Sequence, residues 1–225
     1  DFAGLEQKAK DPKNKLLLLC NPHNPVGRVW TREELSRIGE ICLANDVMVV
    51  SDEIHNDLIM PGHEHTVYAL VSEKMAQNCV ICTAPSKTFN MAGMSTSNVI
   101  VPNPELKQKV YDYRESQAVY FCNMAGYKAC EIAYNECEDW LEELLGVLEA
   151  NRQLVAKFMK EKFPQIHVIP LEGTYLQWLD CRRLGLPYKE LEKFMAEEAY
   201  IFTDEGYVFG EPGEGFERIN LACPT

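Results

Sequence analysis

Four short apolar runs alternate with amphipathic stretches in the first two-thirds of the chain. The runs are residues 16–20, 47–50, 79–82 and 98–101, and each is followed by polar or turn-forming residues. Runs of this length that are apolar throughout are typical of strands buried on both faces. The pattern therefore predicts an α/β fold with a mostly parallel sheet that is covered by helices on both sides.

Helical periodicity fills much of the sequence between and after these runs. Thr31 and Glu34 form a capping box that predicts a helix start, and Asn45 suits the end of that helix. Asn103 followed by Pro104 predicts the start of another helix. More helix is expected around residues 124–134.

A long amphipathic helix is expected over residues 138–163, with Trp140 among its core residues. After it, short apolar runs mix with one further helical stretch. The expected strands are residues 167–169, 175–179 and 219–222, and the expected helix is near residues 188–199. We therefore predict a partial large domain over residues 1–137 and, over residues 138–225, the connecting helix with a partial, smaller α+β domain.

Composition argues against several classes of partner. The 225 residues include 34 acidic and 22 basic side chains, giving a formal charge of −12. Such a surface repels nucleic acids and anionic membranes, so neither is expected as a partner. The nine cysteines are not spaced as in a disulfide-bonded framework, which indicates reduced thiols in a cytoplasmic protein. Cys79 and Cys82 lie in a predicted strand and point to opposite faces, so no metal site is expected there.

Reactive side chains follow three of the apolar runs. Asn24 comes after the first run, Asp52 and His55 after the second, and Ser86 and Lys87 after the third. Ligands of open parallel sheets bind at the carboxyl ends of the strands, so these side chains are expected at one edge. A lysine amine can bond an aldehyde, and a carboxylate can keep a pyridine nitrogen protonated. The set suits pyridoxal 5′-phosphate (PLP).

Each candidate also has a plainer interpretation. Lys87 and Asp52 could cap neighbouring elements, Asn24 could be a turn residue, and His55 could be a structural imidazole. Arg218 has the planar fork that binds a substrate carboxylate, but it could instead form a surface ion pair. The other histidines, including His63 and His65 in an expected exposed loop, have no predicted role.

The order of these motifs resembles that of fold-type I aminotransferases. Residues 21–27, Asn-Pro-His-Asn-Pro-Val-Gly, resemble the family's Asn-Pro-x-Asn-Pro-x-Gly signature. Residues 51–55, 86–89 and 218–220 follow in the family's order and rough spacing. The resemblance covers essentially the whole chain and implies the PLP-transferase (aspartate aminotransferase-like) fold.

The resemblance also implies a role for each candidate. Lys87 corresponds to the lysine that carries PLP as a Schiff base, and Asp52 to the partner of the pyridinium nitrogen. Asn24 corresponds to a contact of the ring oxygen and precedes a cis peptide bond to Pro25. Arg218 corresponds to the residue that binds the substrate α-carboxylate.

Two departures narrow the branch of the family. His55 stands three residues after Asp52, where aspartate aminotransferases have Tyr, and Ser95 stands where a phosphate-binding Arg is often found. Together with residues 87–93 and 220–224, they resemble the MalY/PatB-type cystathionine β-lyases. This implies a C–S β-lyase that converts cystathionine or cysteine conjugates to a thiol, pyruvate and ammonia.

Two other functions remain open on the sequence. The first is a class I/II aminotransferase that acts on an amino acid and a keto acid. The second is a regulatory protein without turnover, which the presence of Lys87, Asp52 and Arg218 disfavours.

The resemblance further implies a homodimer in amino-acid metabolism. Chains of the family begin considerably earlier, so we expect this sequence to lack an N-terminal part. Ser86 and Thr83 are the nearby hydroxyls that could reach the cofactor phosphate.

Overall fold

The computed structural model describes residues 1–119 and 122–225. Contacts divide the chain into two compact units. The first consists of Asp1–Pro22, Val29–Asp57 and Glu64–Leu141, and the second of His23–Arg28, Leu58–His63 and Glu142–Thr225. Two short segments of the N-terminal half therefore belong to the second unit, which the sequence pattern did not indicate. The predicted division after residue 137 stays a prediction.

The first unit is built on a four-stranded sheet with the strand order β1-β2-β3-β4. The strands are β1 (Leu16–Cys20), β2 (Met48–Asp52), β3 (Cys79–Thr83) and β4 (Asn98–Ile100). β1 pairs with β2 and β2 with β3 in parallel, whereas β4 is antiparallel to β3. All four predicted strands are present and the mostly parallel sheet is confirmed, although β2 continues through Asp52.

Six α-helices lie wholly within the described residues of this unit. They are α1 (Phe2–Ala9), α2 (Arg32–Ala44), α3 (Glu73–Ala76), α4 (Pro85–Thr88), α5 (Pro104–Ser116) and α6 (Met124–Glu136). The predicted capping box of α2 is confirmed: the Glu34 amide donates to the Thr31 hydroxyl at 3.2 Å, and the Thr31 amide donates to the Glu34 carboxylate at 3.0 Å. The α1, α3 and α4 helices were not predicted, because none of them is longer than eight residues.

The core of the first unit lies between the sheet and the helices α1 and α2. Its fully buried side chains come from α2, β2 and β3, among other elements: Leu35, Cys42, Val49, Cys79 and Ile81. The other face of β1 differs from the expectation of cover on both sides. Leu16 and Leu18 are 47% and 74% exposed, because no described element packs against their side of the strand.

The second unit contains an antiparallel sheet with the order β5-β6-β8-β7. Its strands are β5 (His167–Val168), β6 (Leu176–Asp180), β7 (Asp204–Glu205) and β8 (Phe216–Asn220). The long helix α7 (Glu138–Lys162) is present as predicted, and α8 (Tyr188–Lys193) continues into a π-helical turn, Phe194–Glu198. The strand predicted at residues 219–222 instead occupies β8. The only fully buried side chain of β8 is the acid Glu217, so the sequence of this strand has no clear apolar pattern.

The expected place of Trp140 in the core was wrong. Its side chain is 46% exposed, and its ring packs against Phe89 with the centroids 5.8 Å apart. Leu148, further along α7, is fully buried instead. The periodicity of the sequence places Trp140 and Leu148 on one apolar face of α7. At the first turn of the helix, this face is only partly covered.

No helix in residues 1–119 and 122–225 is long and apolar enough to cross a membrane. Within the same residues, no group of three or more His, Cys, Asp or Glu side chains is arranged to bind a metal ion. All nine cysteines lie in this part of the chain and have free thiols.

The burial of α2 leads to a prediction for stability. Leu35 is fully buried, whereas Leu43 on the same helix is 36% exposed. Leu35→Ala should lower the free energy of unfolding by about 2–5 kcal/mol, because it leaves a cavity in the core. Urea denaturation would measure it, with Leu43→Ala as the matched control that should cost less than half as much. Equal losses in the two variants would contradict this packing.

Candidate functional site

The register of the parallel strands places one candidate residue at the sheet edge. Asp52 is the last residue of β2 and stands between Cys20 of β1 and Cys82 of β3. One residue beyond Cys82, β3 ends, and α4 with Lys87 begins two residues later. Asp52 and Lys87 therefore follow the carboxyl ends of adjacent parallel strands.

The side chains at this edge differ in exposure. Asp52 is exposed, and its carboxylate accepts a hydrogen bond from the Ile54 amide at 3.2 Å. Lys87 and Ser86 are half-buried, and no side chain or carbonyl in the described part of the chain hydrogen-bonds to the Lys87 amine. His55, in the loop after β2, is buried. A half-buried amine and an accessible carboxylate thus lie in one unit, where they could hold an aldehyde cofactor with a basic ring nitrogen.

A buried polar cluster supports the loop that follows Asp52. The Glu53 carboxylate accepts hydrogen bonds from the Ser51 hydroxyl at 2.8 Å and the Tyr68 amide at 2.9 Å. It also pairs with Nε2 of His65 at 3.0 Å. Glu53 is 1% exposed and the His65 side chain 9%, so the expectation that His65 lies in an exposed loop was wrong. The sequence signal was a second carboxylate directly after Asp52, and two of its partners, His65 and Tyr68, are distant in sequence.

Two further candidates lie together in the second unit. Arg218 of β8 donates from Nη1 to Oδ1 of Asn24 at 2.8 Å. Its Nη2 and Nε donate to one oxygen of Asp204 at 2.6 and 3.1 Å, and its guanidinium lies 4.7 Å from the centre of the Phe209 ring. The ion pair considered for Arg218 is therefore present, but its side chain is only 15% exposed. Asp204 and Phe209 were not predicted as neighbours.

The segment that carries Asn24 has an unusual backbone. The Asn24–Pro25 peptide bond is cis, as the resemblance implied, and so is Asn21–Pro22, which was not predicted. Gly27 has φ of +77°, and a Cβ there would meet the Leu171 side chain at 2.4 Å. Only glycine suits this turn, because it combines a left-handed backbone with a close neighbour.

A buried acid stands beside Arg218 on β8. Burial, together with the nearby carboxylates of Glu205, Glu192 and Asp204, raises the pKa of Glu217 to about 7. A hydrogen bond from the Thr203 hydroxyl acts in the opposite direction. Glu217 therefore changes its protonation near neutral pH while buried in the sheet.

Comparison with known proteins identifies the family. The model of the family described as "Aminotransferase class I and II" matches residues 1–225. The chain belongs to the class I and II aminotransferase family. It has the α/β fold of this family, which the solved structures of similar proteins share.

Several members of the family with similar sequences are named as cystathionine beta-lyases. The chain is 40% identical over 223 residues to cystathionine beta-lyase PatB of Bacillus subtilis, a match that spans 99% of this chain and 58% of that protein. It is 31% identical to protein MalY of Escherichia coli, over 100% of this chain and 57% of MalY. The chain thus spans somewhat under three-fifths of the curated relatives it matches.

Solved structures agree with these sequence matches. Cystalysin from Treponema denticola, whose crystal structure contains PLP, superposes with a TM-score of 0.96 at 51% identity and covers 100% of this chain and 57% of that one. The PLP-bound C-S lyase from Staphylococcus hominis superposes with a TM-score of 0.90 at 32% identity, over 100% of this chain and 58% of that one.

The raised pKa of Glu217 predicts a pH-dependent stability. A carboxyl whose pKa is higher in the folded state than its ordinary value of 4.5 binds a proton more tightly when folded. The free energy of unfolding should therefore fall as the pH rises from 4.5 through about 7. Across this window, wild type should lose roughly 3 kcal/mol more than Glu217→Gln, which cannot ionise. Urea denaturation at several pH values would measure the difference, and identical slopes would contradict the assignment.

Proposed function

We propose that this chain belongs to a PLP-dependent C–S β-lyase, an enzyme that converts cystathionine or another cysteine conjugate to a thiol, pyruvate and ammonia. The observation that carries the proposal is the placement of Asp52 and Lys87 at the ends of adjacent parallel strands. The similarity to PatB, at 40% identity over nearly the whole chain, favours the lyase branch.

The residues at this edge fit PLP chemically. An amine that can bond an aldehyde must not be held in an ion pair, and no described residue forms one with Lys87. A carboxylate that stabilises a protonated pyridine nitrogen must be accessible, and Asp52 is exposed with one local hydrogen bond. We assign Lys87 to the aldehyde and Asp52 to the pyridine nitrogen. Ser86 and His55 are assigned as hydrogen-bond donors to the phosphate and the ring oxygen.

The chemistry of the reaction is then divided between the cofactor and the chain. Bound PLP withdraws electrons from the α-carbon of an amino acid. The Asp52 carboxylate keeps the proton on the pyridine nitrogen, because an opposite charge nearby favours the protonated form. While it is not bonded to the aldehyde, the Lys87 amine takes the proton from the substrate α-carbon, and half-burial protects this proton transfer from bulk water. Loss of a thiolate from the β-carbon distinguishes the lyase reaction from transamination.

The second unit supplies the residues assigned to substrate recognition. Arg218 binds the substrate α-carboxylate, since its planar fork matches the two oxygens of a carboxylate. Its present partner is itself a carboxylate, that of Asp204, which supports this preference. Asn24, which accepts from Arg218, has an amide that can donate to the ring oxygen of the cofactor. The Asn24 contact also holds the guanidinium in one orientation.

We further propose that the enzyme is a cytoplasmic homodimer with a small amino acid as its substrate. The free thiols of all nine cysteines suit a reducing compartment. The formal charge of −12 disfavours nucleic acid as a partner. Light scattering of the complete protein would measure its mass, and a monomer at micromolar concentration would contradict the dimer.

Replacement of the assigned lysine tests the function directly. In the complete protein with added PLP, wild type should release pyruvate and a thiol from cystathionine without any keto acid. Lys87→Ala should lower this rate by at least roughly a thousandfold, because the amine that moves the proton is lost. Lys74→Ala, which removes an exposed lysine of the same unit, is the matched control and should retain the wild-type rate.

Three outcomes of this assay would count against the lyase function or against the role of Lys87. Conversion of cystathionine to its own keto acid, only when another keto acid is added and without release of a thiol, would favour an aminotransferase, which is what two of the more distant relatives are named. Absence of any turnover, without absorbance from PLP, would favour a regulatory protein. Equal activity of Lys87→Ala and wild type would remove the assignment of the lysine.

A conservative replacement of Arg218 tests whether this residue of the second unit binds the substrate carboxylate. Arg218→Lys keeps the charge but loses the two-pronged geometry, so KM for cystathionine should rise roughly tenfold or more. Arg183→Lys, an exposed arginine of the same unit, is the matched control and should leave KM unchanged. Steady-state kinetics would measure both, and an unaltered KM in Arg218→Lys would show that the substrate carboxylate binds elsewhere.

A further inference from the structure

Lys87 lies on a very short helix that has little support of its own. The α4 helix has four residues, and no side chain caps its N-terminus at Ala84. A single helical turn forms few internal hydrogen bonds, so its orientation depends on tertiary contacts. The direction of the Lys87 side chain therefore depends on what holds the residues beside it.

Two contacts hold the residues that follow Lys87. The hydroxyl of Thr88, which is 1% exposed, donates to Oδ2 of Asp57 at 2.8 Å. The ring of Phe89 packs edge-on against Tyr134 at 5.6 Å and against Trp140 at 5.8 Å. Successive residues of a helix point about 100° apart, so fixing Thr88 at the end of α4 and Phe89 directly after it constrains the direction in which the Lys87 side chain leaves the backbone.

The polar contact joins the lysine helix to the loop that follows Asp52 and carries His55. Asp57 lies at the end of this loop, and its other oxygen, Oδ1, accepts from the Asn56 amide at 3.0 Å. Burial and the Asp57 carboxylate raise the pKa of Tyr134 to about 12, so the Asp57 charge also acts on the aromatic contact. One oxygen of Asp57 thus joins the loop after β2 to the turn after β3, and the other bonds within the loop and holds the carboxylate in place.

We propose that Thr88 and Asp57 are positioning residues that hold the Lys87 amine in register with Asp52. The inference rests on the proposed function, because it concerns the aim of the Lys87 amine at the aldehyde carbon and the substrate α-carbon. Neither Thr88 nor Asp57 is assigned to touch substrate or cofactor. Their hydrogen bond sets the relation between two strand-end segments that carry opposite charges.

The test uses the complete protein, prepared both free of PLP and loaded with it. Thr88→Val keeps the shape of the side chain and removes the donor, whereas Thr88→Ser keeps the donor. Thr31→Val is the matched control, since it removes one hydroxyl hydrogen bond at the start of α2 in the same unit. The first readout is the rate at which visible absorbance develops when PLP is added. The second is kcat and KM for cystathionine.

Mispositioning of a reacting group by about 1 Å is costly, so Thr88→Val should lower both kcat and the rate of PLP capture roughly tenfold to a hundredfold. KM should change little, because Arg218 is not affected. Thr88→Ser should restore both rates to within about threefold of wild type, and Thr31→Val should not change them. Asp57→Ala should lose as much as Thr88→Val, and the double variant should lose no more, as expected for one shared interaction.

Two results would overturn the positioning role while the lyase assignment stands. One is Thr88→Val matching Thr31→Val in both rates, and the other is Thr88→Ser being as slow as Thr88→Val. If Thr88→Val does not fold, Asp57→Ala and Thr88→Ser still decide between these results. Borohydride reduction of loaded wild type, followed by peptide mapping, separates the two proposals. If the modified lysine is not Lys87, the proposed function and the positioning role both fail.

Discussion

The parallel pairing of β1, β2 and β3 is the constraint on which the rest of the structure depends. Backbone hydrogen bonds set the register Cys20–Asp52–Cys82, and side chains within a strand alternate between faces with a period of two. A slip of one residue would turn Asp52 to the opposite face of the sheet. Burial of Val49 and Ile81 on the helix-covered face opposes such a slip. The core packing of α2 thus determines where a carboxylate is presented at the sheet edge.

The parts of the fold that depend on local signals could be predicted from the sequence. Apolar runs located all four strands of the first unit, and Thr31, Glu34 and Asn45 located both ends of α2. The motifs after these runs indicated where Asp52 and Lys87 would lie, because carboxyl ends of parallel strands share an edge. The roles assigned to these side chains rest on the family resemblance and remain proposals.

The parts that depend on distant partners could not be predicted. Asn24 and Arg218 are 194 residues apart in sequence yet share a hydrogen bond. His65 was misplaced because its burial depends on Glu53, and β8 was misplaced because its buried residue is the acid Glu217. Residues 58–63 join the second unit through a backbone pairing of Ile59 with Gly173. No local pattern contains such information, since it lies in tertiary pairing.

The ion pair of Arg218 has a consequence for the substrate carboxylate that this residue is proposed to bind. A guanidinium that already has a carboxylate partner is not an open binding site for any passing anion. An incoming acid has to exchange with the Asp204 side chain, which is 57% exposed and can be rehydrated as it leaves. A monodentate ion such as chloride gains little from this exchange, because its contact with the guanidinium is poorer than the Asp204 contact that it replaces. Because Asp204 competes for the guanidinium, a solute has to bind Arg218 more strongly than this carboxylate does. The charge of the solute and the geometry of its acceptor atoms therefore decide whether it binds.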